Sequence, residues 1–253
     1  MPEAPMVSVA IITKNEEDNI GGCLESVKWA DEIIVVDSGS DDGTADICER
    51  CGVRFYTEPW KGFSAQKNSA IGKATNDWIL SLDADERVTP ELRREITALC
   101  ESGSTKTGYF IPRKNFFLGR WIRHCGWYPD YTLRLFKKGT GSFGEREVHE
   151  SLSVRGDTGH LKHPMEHYTY KTISDYLQRL DRYSSLAAKE LLKEKKRYGI
   201  HHIAFRPLYT FFHMYVIRLG FLDGYLGFTL SILYSFYTFS KYTKLRELQV
   251  IEQ

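Results

Sequence analysis

The chain has 253 residues, enough for one large domain or for one domain with an appendage. Its 34 Lys and Arg residues nearly balance its 33 Asp and Glu residues, so the net charge is +1. This balance excludes the global positive field of a nucleic-acid-binding protein, and we expect no nucleic-acid partner.

The N-terminal residues MPEAPMVSVA do not form a basic segment followed by a long apolar stretch, which is the pattern of a secretory signal. We therefore expect a cytoplasmic protein. The five cysteines are odd in number and show no disulfide framework, as expected for reduced thiols. Cys48 and Cys51 form a CxxC pair in a helix-like context without a second pair, which favours ordinary helix cysteines over a zinc or redox site.

Four apolar, β-branched runs in the first hundred residues predict buried strands: VSVAIIT (7–13), EIIVVD (32–37), VRFY (53–56) and WILSLD (78–83). Helix-like segments follow each run, and after the fourth Thr89 is the expected N-cap with Pro90 as the first helical residue. This alternation predicts a βαβ series and an α/β sandwich. Ligands of such sheets bind beyond the carboxyl ends of the strands.

Three polar clusters lie at those predicted strand ends: TKNEE (13–17), DSGSDDG (37–43) and DADE (83–86). The acids of DADE repel one another unless they face water or are neutralised by a cation or a basic partner. A structural alternative is that they cap the following helix at Pro90. DSGSDDG is not an EF-hand loop, because its twelfth position is Cys48. TKNEE stands where a dinucleotide fold would have GxGxxG, which argues against a Rossmann oxidoreductase.

The pattern changes after residue 107. Short aromatic and basic segments from Gly108 to about His167 predict further strands that extend the sheet, and Thr172 to Tyr198 has helical periodicity with Thr172 and Asp175 as a capping box. The apolar, aromatic segment 206–246 is interrupted by Arg218 and Asp223. Its longest charge-free piece, 224–240, is shorter than the ~20 residues of a spanning helix, which favours amphipathic helices lying on a membrane. A buried core helix or an oligomer interface is the alternative.

The segments VSVAIITKNEE, EIIVVDSGSDDGT and AQKNSAIGKATNDWILSLDADE together resemble family 2 glycosyltransferases of the GT-A fold. GYFIPRKNFFLGRWIRH, WYPDYTLRLFKKG and REVHESL resemble more narrowly the branch that adds glucose or related sugars to lipopolysaccharide or lipooligosaccharide core. The resemblance implies an α/β, Rossmann-like nucleotide-sugar-binding domain at 1–170. A helical, membrane-associated extension is expected at 171–253.

Site residues follow from this resemblance. In the family an Asp-x-Asp at a strand end holds a divalent cation, Mg²⁺ or Mn²⁺, on the donor diphosphate, and Asp83-Ala84-Asp85 matches it. Asp85 is then expected on the metal and Asp83 on the ribose or a metal-bound water. Further nucleotide-sugar-binding positions are expected at Thr13, Asn15, Glu16, Asp37, Lys67 and Asn68. An equal alternative is that Lys67 is a solvated helix lysine. The segment Asp37-Ser38-Gly39-Ser40 departs from the common Asp-Asp-Gly-Ser of the family, so the identity of the nucleobase in the donor stays open.

Inverting transfer also needs a group that takes the proton of the acceptor hydroxyl. Glu150 in VHESL is the first candidate, Asp130 the second and His149 the third. Each could instead pair with an arginine, such as Arg123, Arg134 or Arg146. Three histidines, His160, His163 and His167, suggest a metal ligand. Their irregular spacing around a proline is more typical of surface positions, and His167 is the best candidate among them.

The resemblance, together with these observations, implies an inverting, metal-dependent hexosyltransferase that is peripheral on the cytoplasmic face of the inner membrane. It would move glucose from UDP-glucose to a lipid-linked glycan such as lipopolysaccharide core. One alternative is transfer to a polyprenyl phosphate or to an exopolysaccharide or capsule intermediate. Another is a non-catalytic scaffold that binds nucleotide sugars.

Overall fold

The computed structural model describes residues 6–144, 151–194 and 198–251. The strands are β1 (Val7–Thr13), β2 (Glu32–Asp37), β3 (Arg54–Thr57), β4 (Trp78–Asp83), β5 (Glu86–Val88), β6 (Gly108–Phe117), β7 (Arg120–Trp121), β8 (Asp130–Lys137), β9 (Gly141–Phe143), β10 (Leu152–Val154), β11 (Thr158–His160) and β12 (Met165–Tyr170). The helices are α1 (Glu17–Ser26), α2 (Thr44–Arg50), α3 (Phe63–Gly72), α4 (Pro90–Glu101), α5 (Ile173–Lys193), α6 (Ile200–Phe212) and α7 (Gly224–Ile251).

The N-terminal half of the sheet is parallel, as predicted. Strand β1 pairs with β2 on one side and β4 on the other, and β2 pairs onward with β3. Successive residues of a strand face opposite sides of a sheet. Val9 and Ile11 accordingly pack into the core that includes α1 and α4, whereas Ala10 packs with α3 on the other face. Both faces are covered, which explains why these strands read as continuous apolar runs.

Helix α4 begins as predicted. The Thr89 side chain accepts a hydrogen bond from the backbone N–H of Leu92 at 3.2 Å, and Pro90 is the first helical residue. A proline at this position loses no hydrogen bond, because the first N–H groups of a helix have no intrahelical partner. The cap is therefore Thr89 and not one of the acids of the DADE cluster.

The sheet continues through antiparallel strands. Its order is β3-β2-β1-β4-β8-β6-β12-β5, and β8 pairs antiparallel with β4. Strand β5 begins at Glu86, the last residue of the DADE cluster, and pairs with β12, so that His167 lies opposite Glu86. This confirms the predicted extension of the sheet after residue 107. It also brings a histidine from late in the chain to the acids at the end of β4.

The chain forms two compact units. The first contains residues 1–113 and 131–167, and the second contains 114–130 and 168–253. The predicted boundary at residue 170 leaves 114–130 in the first domain, whereas the structure assigns this segment to the second unit. The segment is rich in aromatic residues, and Phe117 and Trp127 share an apolar core with Tyr176 of α5 and Leu230 of α7.

Helices dominate the second unit. The predicted capping box is present at the start of α5, because Thr172 and Asp175 each accept a backbone hydrogen bond from the other. Helix α6 passes into one π-helical turn (His213–Ile217), and a 3-10 turn (Gly220–Asp223) precedes α7. Leu219 and Gly224 bracket this second turn with positive φ angles of 55° and 65°. The carboxylate of Asp223 accepts hydrogen bonds from the backbone N–H groups of Arg123 and His124.

No single helix among the described residues has both the length and the apolar character needed to cross a membrane. The segments Ile200–Ile217 and Gly220–Ile251 satisfy these requirements only as a pair, and they are bent by 71° relative to each other. Many large apolar side chains on them are exposed, including Phe205, Tyr209 and Tyr225.

All five cysteines are free thiols. Cys48 is buried on α2, where burial raises the pKa of its thiol to about 12, and Cys51 is exposed just after the helix. Within the described residues no group of three or more His, Cys, Asp or Glu side chains is arranged to hold a metal ion.

Candidate active site

The acids at the end of β4 are neutralised by two cations of the protein itself. The Lys67 ammonium on α3 lies 2.8 Å from Oδ1 of Asp83, and Nη2 of Arg134 on β8 lies 2.6 Å from Oδ2. Lys67 and Arg134 are only 8% and 4% exposed. Lys67 is therefore not a solvated helix lysine, and one of the two sequence-based alternatives is removed.

The ionisation of Asp83 follows from these contacts. Burial alone would raise the pKa of this carboxyl, but the charges of Arg134 and Lys67 outweigh burial and hold the pKa well below its usual range. Burial likewise opposes the charge of Arg134, yet Asp83 and Glu86 raise the pKa of the guanidinium. The Asp83 carboxylate is thus anionic at neutral pH and held in one orientation by two charged hydrogen bonds.

Glu86 binds both Arg134 and the backbone of Asp83. It is fully buried, its Oε1 lies 2.6 Å from Nη2 of Arg134, and its Oε2 accepts the backbone N–H of Asp83 at 3.0 Å. Arg113 lies 3.4 Å from the same carboxylate. Glu86 is therefore a support for the turn between β4 and β5, and its lone pairs are largely engaged within the protein.

Asp85 differs from its two neighbours. Its Oδ2 lies 3.5 Å from Nε2 of His167, and both side chains are partly accessible. A carboxylate oxygen and an imidazole nitrogen are ligands of Mn²⁺ and related divalent cations. Two ligands of one octahedral ion lie ~3 Å apart, which is close to the observed separation. The pair Asp85 and His167 therefore fits a cation whose remaining ligands are phosphate oxygens or waters, whereas Asp83 is already occupied by Lys67 and Arg134.

The segments after β1 and β2 are joined to each other. The Asn15 side chain accepts the backbone N–H of Asp41 at 3.0 Å, and the Asn15 N–H donates to Ser40 Oγ at 2.8 Å. Asn15 takes the positive φ of 54° that this turn requires, a conformation that asparagine tolerates better than most residues. The Glu16 N–H donates to Thr44 Oγ1 at 2.9 Å. These bonds join the segment after β1 to the loop after β2, and both segments contain residues predicted to bind the nucleotide sugar.

Asp37 is held by its own loop. Its Oδ2 accepts the N–H groups of Gly39 and Ser40, both at 2.8 Å, and its Oδ1 accepts the Ser40 hydroxyl at 2.5 Å. The hydroxyls of Thr13 and Ser38, which lie nearby, differ from Asp37 in their hydrogen bonding. Thr13 Oγ1 and Ser38 Oγ are buried and lack a hydrogen-bond partner in the part of the chain that the structure describes. Buried polar groups are normally paired, so these two atoms are available to a bound ligand.

Asn68 contacts the protein backbone. Its side-chain amide donates to the carbonyl oxygen of Phe143 and accepts the N–H of Phe143, both at 2.9 Å. This pairing fixes the end of β9 against α3 and uses one donor and one acceptor of the amide. The predicted role of Asn68 near the nucleotide remains a prediction.

The candidates for the general base divide between two places. Glu150 and His149 lie outside the described residues. Asp130 lies in the second unit at the start of β8, where its Oδ2 accepts a hydrogen bond from Asn115 Nδ2 at 3.1 Å.

The other two histidines predicted as possible metal ligands make different contacts. His160 stacks on Phe110 at a ring distance of 5.0 Å, and the His163 backbone N–H donates to Glu95. Neither joins His167 at Asp85.

Arg134 is the residue that sequence reasoning missed. The sequence suggests it only as an ion-pair partner for a general base, whereas in the structure it joins Asp83 and Glu86. A signal was present in the sequence, because Arg134 interrupts the apolar run of TLRLF in a strand that is expected to be buried. A charge in such a position is almost always paired.

Comparison with known proteins identifies the family. The family model described as glycosyl transferase family 2 matches residues 8–151, more than half of the chain. An uncharacterized glycosyltransferase of Rickettsia bellii is 33% identical over 96% of this chain and 87% of that protein. The lipopolysaccharide core biosynthesis glycosyltransferase LpsC of Rhizobium meliloti is 29% identical over 95% of this chain and 93% of that protein.

A solved structure also matches, at lower sequence identity. The crystal structure of S. aureus TarS 1-349 in complex with UDP matches with a TM-score of 0.48 and 18% identity, over 71% of this chain and 64% of that one. The assignment therefore rests on the sequence matches together with the mixed α/β sheet described above. The chain belongs to glycosyl transferase family 2, has the GT-A sandwich of that family and is a glycosyltransferase.

Proposed function

We propose that the protein is an inverting, metal-dependent hexosyltransferase that moves glucose from UDP-glucose to a lipid-linked glycan such as lipopolysaccharide core. The observation that carries the metal dependence is the pair Asp85 and His167, 3.5 Å apart beside a third acid that the protein neutralises itself. The resemblance of the sequence motifs supports the donor. The full-length similarity to LpsC supports the acceptor class.

Asp85 and His167 would hold the cation, which when bound would neutralise charge on the departing nucleoside diphosphate. Lys67 and Arg134 keep Asp83 ionised and oriented, so that its carboxylate can accept a hydrogen bond from a ribose hydroxyl or a bound water. Thr13 and Ser38 offer two unengaged hydroxyls to the nucleotide at the neighbouring strand ends.

The acceptor hydroxyl must lose its proton as it attacks the anomeric carbon. We assign this step to Glu150 as the first candidate and to Asp130 as the second, and the imidazole of His149 is the third. A single displacement inverts the configuration, so an α-linked donor gives a β-glycoside. The base acts on the acceptor, and its loss should therefore affect turnover and leave donor affinity nearly unchanged.

We further propose that the enzyme works as a peripheral protein on the cytoplasmic face of the inner membrane, where a lipid-linked acceptor is found. The exposed apolar side chains of α6 and α7 support this location. Carbonate extraction of membranes tests it, because a peripheral protein is released and a spanning one is retained.

The transfer itself is tested with purified protein, UDP-glucose and core glycans isolated from a strain that lacks the gene. The proposal predicts UDP release that depends on both acceptor and divalent cation, and a β-linked glucose in the product. Acceptor-specific release with a polyprenyl phosphate would favour the alternative acceptor. Nucleotide binding without turnover on any acceptor would favour the non-catalytic scaffold.

A further inference from the structure

A pocket of about 550 Å³ lies between α6 and α7 in the second unit, remote in sequence from every residue of the candidate active site. Its lining includes two basic residues, Arg206 from α6 and Lys241 from α7, and no acidic residue. The rest of the lining is formed by aromatic rings and threonines. A pocket with this composition is suited to an anion.

The two cations converge on one ring. The guanidinium of Arg206 lies 5.2 Å from the ring centroid of Tyr242 and donates to its hydroxyl at 2.7 Å, and the Lys241 ammonium lies 5.0 Å from the same centroid. Among the residues that the structure describes, no carboxylate forms an ion pair with either cation. Two like charges are thus held together without a carboxylate partner from the described part of the chain.

This arrangement has an electrostatic cost. Partial burial and the neighbouring charge of Arg206 lower the pKa of the Lys241 ammonium. An anion bound between the two side chains would remove the repulsion and accept their remaining N–H donors. A phosphate group fits these donors, since guanidinium binds phosphate oxygens in a fork geometry and ammonium adds a point charge.

The surroundings of the pocket favour a phosphate that is attached to a lipid. Phe205 and Tyr209 line the pocket and are 68% and 66% exposed. Leu208 and Phe212 continue the same face of α6 at helical spacing and are also exposed. An exposed apolar stripe beside a cationic pocket matches an amphiphile with an anionic head and apolar chains.

We propose that Arg206 and Lys241 form a binding site for the phosphate of an anionic membrane lipid, with the exposed face of α6 against its acyl chains. This site goes beyond the proposed transferase reaction and does not depend on which sugar is moved. It places the exposed apolar side chains of α6 against a lipid surface, and Arg206 and Lys241 bind a phosphate of that surface.

The test measures binding of the full chain to phosphatidylcholine vesicles with and without phosphatidylglycerol, at ~0.15 M salt. We expect Arg206→Gln and Lys241→Gln each to lower the partition onto the anionic vesicles about fivefold or more. Arg246→Gln is the matched control, because Arg246 is an exposed basic residue on α7 outside the pocket. It should change partition less than twofold, and Lys241→Arg should retain binding.

Three outcomes overturn the proposal. Equal losses for the pocket variants and for Arg246→Gln would show a diffuse attraction. Unchanged partition of both pocket variants would show that the pocket is not used. Displacement of the wild-type protein from vesicles by millimolar inorganic phosphate would assign the site to the free ion.

A measurement on the wild-type protein covers the case in which a variant does not fold. Hydrogen exchange should slow at residues 205–212 and 238–242 with anionic vesicles and not with pure phosphatidylcholine. Equal exchange in both vesicle types would overturn the assignment. Transfer to a soluble acceptor fragment is measured in parallel, so that loss of lipid binding and loss of the transferase reaction are distinguished.

Discussion

Nη2 of Arg134 lies 2.6 Å from Oδ2 of Asp83 and 2.6 Å from Oε1 of Glu86, so one guanidinium joins two acids of the DADE cluster. Removing it would leave two carboxylates together in a largely buried place. We expect Arg134→Met to lower the free energy of unfolding by about 3–5 kcal/mol, the usual cost of breaking a buried pair. Urea denaturation at neutral pH measures this.

Arg113→Met is the matched control for that experiment. Arg113 contacts Glu86 at the longer distance of 3.4 Å and is more exposed. We expect it to cost no more than about 1 kcal/mol, as for a weaker, more solvated pair. Equal losses in the two variants would contradict the central position of Arg134.

Asp83 should also determine part of the acid sensitivity of the protein. Its folded-state pKa is lowered by Arg134 and Lys67, so its ionised form contributes stability above the unfolded-state pKa of about 3.9, and that contribution is lost as the pH falls below this value. We expect the free energy of unfolding of the wild type to fall more steeply between pH ~5 and ~2 than that of Asp83→Asn. Parallel curves would mean that the ion pairs do not stabilise the charged form.

The proposed cation ligands give a third prediction. Asp85→Asn and His167→Gln should each lower turnover about 100-fold or more and weaken Mn²⁺ binding in the presence of UDP, because one of two protein ligands is lost. Calorimetric titration of Mn²⁺ and a UDP-release assay provide the two readouts. His163→Gln should behave as wild type, since His163 is exposed and does not contact Asp85. Full activity in excess EDTA would refute the metal dependence.

The general base is tested by amide substitutions. Glu150→Gln should lower turnover by roughly 10²- to 10⁴-fold with nearly unchanged affinity for the nucleotide sugar. If Asp130→Asn abolishes turnover and Glu150→Gln stays within a few-fold of wild type, the base is Asp130. An α-linked product from an α-linked donor would exclude the inverting mechanism and both assignments.

Substitution of Asn68 distinguishes a structural role of this residue from a role in nucleotide binding. Its amide makes two hydrogen bonds to the backbone of Phe143, so Asn68→Ala should lower the free energy of unfolding by about 1–3 kcal/mol. Affinity for UDP, measured well below the melting temperature, reports the predicted nucleotide contact. A tenfold loss of affinity supports that contact, whereas unchanged affinity leaves only the structural role.

Local sequence signals were sufficient for the parallel half of the sheet. The strands β1, β2 and β4 have the predicted bounds, and Thr89 and Thr172 cap their helices as expected. Each of these features depends on residues that are close in sequence or on continuous apolar runs. The cluster of acids at residues 83–86 was likewise visible as a group that needed neutralisation.

Contacts between residues that are far apart in the sequence could not be predicted from local patterns. The partners of Asp83 come from residues 67 and 134, and they meet only because α3 and β8 both pass the end of β4. His167 reaches Asp85 through the antiparallel pairing of β12 with β5, which no local pattern specifies. The sequence predicts His167 only as the best of three candidate metal ligands, and its position beside Asp85 follows from the register of the strands.

The second unit is formed by two separate parts of the chain, 114–130 and 168–253, so its core can be completed only late in synthesis. Phe117 and Trp127 belong to a core whose other members include Tyr176 and Leu230. At ~5–20 residues per second, about 5–20 s pass between synthesis of Trp127 and Leu230. For that interval these large aromatic side chains have no native apolar partners from α7. The native contacts of Phe117 and Trp127 with α7 can therefore form only after the last helix has been synthesised.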